Sequence, residues 1–141
     1  MKKNNIKEKD KNRNYKKVID SIDQYLESDN SAGIDAKALF IMAKSYCVLK
    51  MKDEGIKIYK MIINLNPKDV HARLELGKLY VGQGKEQEAE ELFKEYMELA
   101  PKNIYARLEL GKLYARQGKE QETETLYPNA PGRHTNRVYL T

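Results

Sequence analysis

From residue 36 to residue 127, apolar side chains recur at three- and four-residue steps, the spacing of amphipathic helices. The steps are themselves periodic. Residues 71–88 and 105–122 agree at 15 of 18 positions, 34 residues apart, and ARLELGKLY is written twice without change. Extended backwards, the period defines units at 36–69, 70–103 and 104–127. Asp35, Asp69 and Asn103 precede these units in register, each a side chain suited to accept a first-turn N–H. Pro67 and Pro101 close the first two units, and Gly84 and Gly118 divide the second and third into two helices each. Every unit therefore predicts a helical hairpin.

Columns across the units show which faces are buried. In the first helices, Met42/Leu76/Leu110, Ala43/Gly77/Gly111 and Tyr46/Tyr80/Tyr114 form one stripe. In the second helices the matching stripe is Gly55/Ala89/Thr123 and Tyr59/Phe93/Tyr127, continued by Ile62 and Tyr96. A mid-helix glycine costs about 1 kcal/mol relative to alanine. The expected compensation at Gly77 is close approach of the paired helix through small residues such as Ala89. Upstream, Tyr15, Val18, Ile22 and Tyr25 fall at helical spacing and predict a capping helix at 14–28, with Val18, Ile22 and Tyr25 inward. Residues 1–13 are too polar to add a further unit, and 128–141, broken by Pro128 and Pro131, read as an irregular tail. Either that tail folds back over the last unit or the open end meets another molecule, so self-association is expected there.

The 34-residue period, the Leu-Gly-x-x-Tyr of LELGKLY, small Ala89, aromatic Phe93 and Pro101 resemble the tetratricopeptide repeat over about 36–127. The family's usual tryptophan is replaced by Leu39, Arg73 and Arg107. The resemblance implies an all-α fold, a right-handed solenoid of antiparallel helical hairpins with an N-terminal capping helix. It also implies that first helices line a concave surface holding extended peptides. The positions concerned are Lys37, Phe40, Lys44 and Cys47, then His71, Leu74, Lys78 and Val81, then Tyr105, Leu108, Lys112 and Ala115, with Arg116 at the open end. Lys44, Lys78 and Lys112 make a line of charge beside an apolar line of Phe40, Leu74 and Leu108. Such a groove favours a peptide mixing acidic and apolar side chains. Relatives that clamp chaperone carboxylates are a poor match, because Glu75 and Glu109 would repel a dicarboxylate.

Charge is unevenly placed. Of 26 basic and 21 acidic residues, eight basic and two acidic lie within 1–17, so the remainder is close to neutral. Residues 1–13 read as a basic disordered arm, which raises nucleic-acid association as an alternative function. No secretory apolar run follows it, and no stretch approaches the ~18 apolar residues of a membrane span. The single cysteine, Cys47, allows no internal disulfide and fits a reducing, cytoplasmic setting. His71 and His134 lack metal-ligand spacing, and no phosphate loop, nucleophile elbow or metalloprotease motif occurs. The expected function is thus a non-catalytic interaction module with no cofactor or metal. The remaining alternative is a docking fragment of a larger enzyme or sensor.

Overall fold

The computed structural model describes residues 2–27 and 35–127, which form seven helices and, among the described residues, no strands. They are α1 (Lys2–Glu27), α2 (Ala36–Val48), α3 (Lys52–Leu65), α4 (Val70–Gly82), α5 (Glu86–Leu99), α6 (Tyr105–Arg116) and α7 (Glu120–Leu126). Three hairpins, α2/α3, α4/α5 and α6/α7, stack in chain order, with α3 against α4, α5 against α6 and α1 against α2. The chain is an all-α helical-repeat solenoid.

Local chemistry fixes the helix ends. Asp35 accepts the Lys37 N–H at 3.1 Å, Asp69 that of Ala72 at 2.9 Å, and Asn103 that of Tyr105 at 3.1 Å. At the far end of each first helix the chain reverses through the same left-handed cap. The N–H groups of Met51, Lys85 and Lys119 donate to the carbonyls of Tyr46, Tyr80 and Tyr114, respectively. Gly84 and Gly118 hold the positive φ this turn requires, at 77° and 71°. The first unit makes the identical turn with Lys50, at φ 62°, where a side chain is strained. A cap column invisible as a glycine pattern is therefore present in all three units.

The predicted stripes are largely buried: Met42, Leu76 and Leu110, then Ala43, Tyr80 and Tyr114, facing Tyr59, Phe93, Ile62 and Tyr96. Tyr46 is only partly covered, as are Thr123 in the short last helix and Tyr127 just after it. The reason for Gly77 differs from expectation. A Cβ there would lie 2.5 Å from Cε1 of the Phe93 ring, so the glycine admits an aromatic edge and not Ala89. Small against small does occur in the first unit. There a Cβ at Gly55 would meet Cys47 Sγ at 2.7 Å and the Ala43 carbonyl at 3.1 Å.

Helix α1 departs from the sequence reading in two ways. It begins at Lys2, not at residue 14, so the basic segment is helical. That stretch has no glycine or proline and is dominated by lysine, which favours a helix, while its lack of an apolar stripe conceals it from periodicity. Its buried face is also turned by one position. Ile19 is the residue that enters the core, Val18 and Ile22 flank it, and Tyr25 stays 45% exposed. Helix α7 stops at Leu126, since a residue preceding proline is pushed out of the helical region. The expected tail at 128–141 lies outside the described residues.

Candidate peptide-binding groove

Several of the expected groove residues on α2 and α4 line two clefts between these helices. Helix α2 and the start of α4 enclose a cleft of roughly 440 Å³ lined by Ala36, Lys37, Phe40, Ile41, Asp69 and His71. Further along, Lys44, Cys47, Val48, Glu75 and Lys78 line a second cleft of roughly 280 Å³ whose floor includes Tyr59. Leu74 and Val81 are half-buried against the core. In the third unit Tyr105 and Leu108 stand 58% and 43% exposed, with Lys112 beside them.

Phe40 is held firmly. Its ring meets Tyr59 edge-on, with centroids 5.6 Å apart, and the Lys44 ammonium lies 5.7 Å from its centroid. Tyr59 is fully buried, and burial pushes its hydroxyl well above the ordinary tyrosine range. The groove aromatic therefore rests on a core aromatic, and Lys44 is drawn over its outer face by the ring's negative quadrupole.

Along the groove the lysines are not equivalent. Lys78 lies 3.9 Å from Glu75 and Lys112 lies 3.3 Å from Glu109, each pair spaced i, i+3 on its own helix. The corresponding position in α2 is Ile41, so Lys44 has no carboxylate within ion-pair distance among the described residues. Positive charge is thus partly neutralised in the second and third units and unopposed in the first. The Arg116 guanidinium lies 3.8 Å from Glu86 on α5, so its charge is partly opposed as well. Ile41 and Val48 were missed as groove residues, although both are more than one-third exposed. Aligning the repeat columns would have shown Ile41 standing where the other units hold glutamate.

Cys47 is half-buried in the second cleft. Burial, reinforced by Glu75, raises its thiol, which disfavours the thiolate needed for nucleophilic attack. Among the described residues no cluster of three or more histidine, cysteine or carboxylate groups could hold a metal. None of their helices is long and apolar enough to cross a membrane.

The unit-to-unit joints also differ. Between α5 and α6, Tyr114 donates a 2.6 Å hydrogen bond to Glu90, which also lies 3.0 Å from Lys94. The Tyr114 bond holds the Glu90 carboxyl below its usual range despite opposing burial, and Lys94 adds to the effect. Gln117 donates to Glu86 at 2.6 Å in the same joint. Between α3 and α4 the residue matching Glu90 is Ile56, and Tyr80 receives the Lys60 ammonium over its ring; Lys85 also lies over it, as Lys119 lies over Tyr114.

Comparison with known proteins agrees with this architecture. Two tetratricopeptide repeat family profiles match, one over residues 37–69 and the other over 80–137. The second continues eleven residues past Leu126, the end of α7. Among solved structures, a crystal structure of MamA superposes with a TM-score of 0.70 at 21% identity, covering 86% of this chain and 69% of its own. A second MamA structure gives 0.70 at 22% identity, covering 81% of this chain and 61% of its own. YrrB, described as a TPR protein with an unusual peptide-binding site, gives 0.64 at 19% identity, covering 83% and 62%. The chain thus spans somewhat less than two thirds of the length of the latter two structures. No curated protein matches it by sequence. Repeat period, capped hairpins, stacking order and both profile matches place this chain in the tetratricopeptide repeat family.

Proposed function

We propose that this chain is a protein-interaction scaffold that holds an extended segment of a partner, rich in apolar and acidic side chains, along α2, α4 and α6. Tetratricopeptide units are in general non-catalytic interaction modules, which supports the scaffold reading. The single observation that carries the finer reading is the α2–α4 cleft: apolar through Phe40 and Ile41 and flanked by Lys37 and by the unopposed Lys44. An apolar side chain of the partner fills that cleft while a carboxylate two or three residues along reaches Lys44, given the ~3.3 Å rise of an extended strand. Leu74, His71, Lys78 and Val81 continue the track, and Tyr105, Leu108, Lys112 and Arg116 belong to its weaker far end. YrrB has this fold and its description names a peptide-binding site, which makes a peptide groove a reasonable use of the same scaffold.

The test uses a fluorescent library of ten-residue peptides alternating leucine or phenylalanine with glutamate. Binding is expected to fall at least tenfold for Lys44→Glu and for Phe40→Ala, and about twofold for Lys112→Glu. Both groove variants should keep the helical circular-dichroism signal. Equal losses at Lys44 and Lys112, or unchanged binding by Phe40→Ala, would move the site away from the α2–α4 cleft.

A further inference from the structure

The N-terminal half of α1 forms no part of the repeat core, and it carries an ordered charge pattern. Among its described side chains, Lys9, Arg13 and Lys16 are exposed and fall on one stripe of the helix. None lies within ion-pair distance of a carboxylate among the described residues. Along α5, on the side bordered by Lys60 of α3, Glu88, Glu91 and Glu95 form an exposed stripe of the opposite sign. Among the described residues Glu88 and Glu91 have no cation within that distance, and Glu95 is held by Arg73 through one oxygen at 2.9 Å.

The two spacings are complementary. Read from Lys16 back to Lys9, the cations stand at steps of three and four residues; read forward from Glu88 to Glu95, the anions stand at the same steps. At about 1.5 Å of rise per residue, both stripes place their charges near 0, 4.5 and 10.5 Å. An antiparallel pairing therefore sets Lys16 on Glu88, Arg13 on Glu91 and Lys9 on Glu95. Within one chain the helices cannot meet in this way, because α1 packs on α2 while α5 packs between α4 and α6.

We infer that the basic face of α1 docks on the acidic face of α5 in a second copy of this chain. The contact is heterologous: each molecule offers one face at its N-terminal end and a different one on its back. Such contacts propagate into open chains or rings unless the rotation happens to close early. Exposed ion pairs are individually weak and are screened by salt, so the assembly is concentration-dependent and disappears as ionic strength rises. The partner groove along α2, α4 and α6 lies on other faces and stays accessible in this arrangement.

Sedimentation velocity on the full chain tests this at low (about 0.02 M) and high (about 0.5 M) salt. The wild type should gain mass with concentration at low salt and run as a monomer at high salt. Two charge-reversed chains, Lys9→Glu/Arg13→Glu/Lys16→Glu and Glu88→Lys/Glu91→Lys, should each remain monomeric at low salt, with association weakened at least tenfold. Mixing them should restore association, because each then presents the charge the other lacks. Recovery in the mixture would exclude simple unfolding as the cause of the losses. A wild type that stays monomeric at low salt, variants that assemble like wild type, or a mixture that stays monomeric would overturn the proposal. So would a monomer that instead binds a single-stranded oligonucleotide with steep salt dependence, since the basic face would then serve phosphates. Because the peptide assay reads a different face, either proposal can fail without the other.

Discussion

The nonapeptide ARLELGKLY occurs in α4 and again in α6, and its two copies have different surroundings. In α4, Gly77 lies against the Phe93 ring so closely that a Cβ would sit 2.5 Å away. In α6, the same glycine has only ordinary contacts, the nearest being the Tyr127 hydroxyl at 3.4 Å from a built Cβ. Arg73 is buried, donating through Nε to Glu95 at 2.9 Å and through a terminal nitrogen to the Asp69 carbonyl at 2.7 Å. Its counterpart Arg107 has a buried Nε with no hydrogen bond among the described residues. The position matching Glu95 is Asn129, beyond the end of the seven-residue α7. Identical letters acquire different energetic roles because the second helix opposite them is complete in one unit and short in the other.

The sharpest way to break that comparison is to substitute both glycines. Gly77→Ala should lower stability by about 2 kcal/mol in chemical denaturation, the usual scale of overpacking. Gly111→Ala should be neutral or stabilising by up to about 1 kcal/mol, from the better helix propensity of alanine. Adding Phe93→Leu should relieve much of the Gly77→Ala penalty, and no relief would show that the ring is not the obstacle. Next in size are the arginines. Arg73→Met should cost about 1–2 kcal/mol through lost charge-assisted hydrogen bonds, whereas Arg107→Met should cost close to nothing, measured by the same denaturation midpoints.

The joints give a smaller effect with a pH signature. Tyr114→Phe removes a hydrogen bond to Glu90 and should cost about 1 kcal/mol at about pH 7. The folded state lowers the Glu90 carboxyl, so its contribution is present above the unfolded carboxylate range and fades as pH falls through the folded value. The Tyr114→Phe penalty should therefore shrink as the pH falls below the ordinary carboxylate range, and a penalty independent of pH would remove Glu90 from the explanation. Tyr80→Phe, at the joint where Ile56 takes the acidic position, should show no such dependence. Smallest of all is Lys50→Gly. It relieves a left-handed side chain at φ 62° but gives back some unfolded-state entropy, for a net gain of about 1 kcal/mol or less in melting experiments.

Much of the fold was legible from spacing. The period of 34, the capping residues in register and the prolines determined how many hairpins form and where they begin, because each is a local backbone requirement. The turn at Lys50 was not legible as a glycine column, since its conformation is imposed by the stacked helices on either side. Nor was the length of α1, whose polar half has helical propensity without periodicity. The candidate groove was legible as a set of positions but not in its electrostatics. The repeated lysines looked alike as a column, although Glu75 and Glu109 already stand three residues before Lys78 and Lys112; only side-chain placement showed Arg116 near Glu86.

By itself the sequence determined a stack of capped hairpins, because helix starts, stops and apolar stripes are written within a few residues of where they act. Tertiary structure alone decided which glycine is indispensable, which arginine is satisfied and which carboxylate Arg116 meets. Those outcomes depend on atoms 16 or more residues away in the chain, such as Phe93 under Gly77, Glu95 across from Arg73 and Glu86 beside Arg116. Contacts of that kind are set by how helices meet, which a repeated phrase cannot encode twice in the same way.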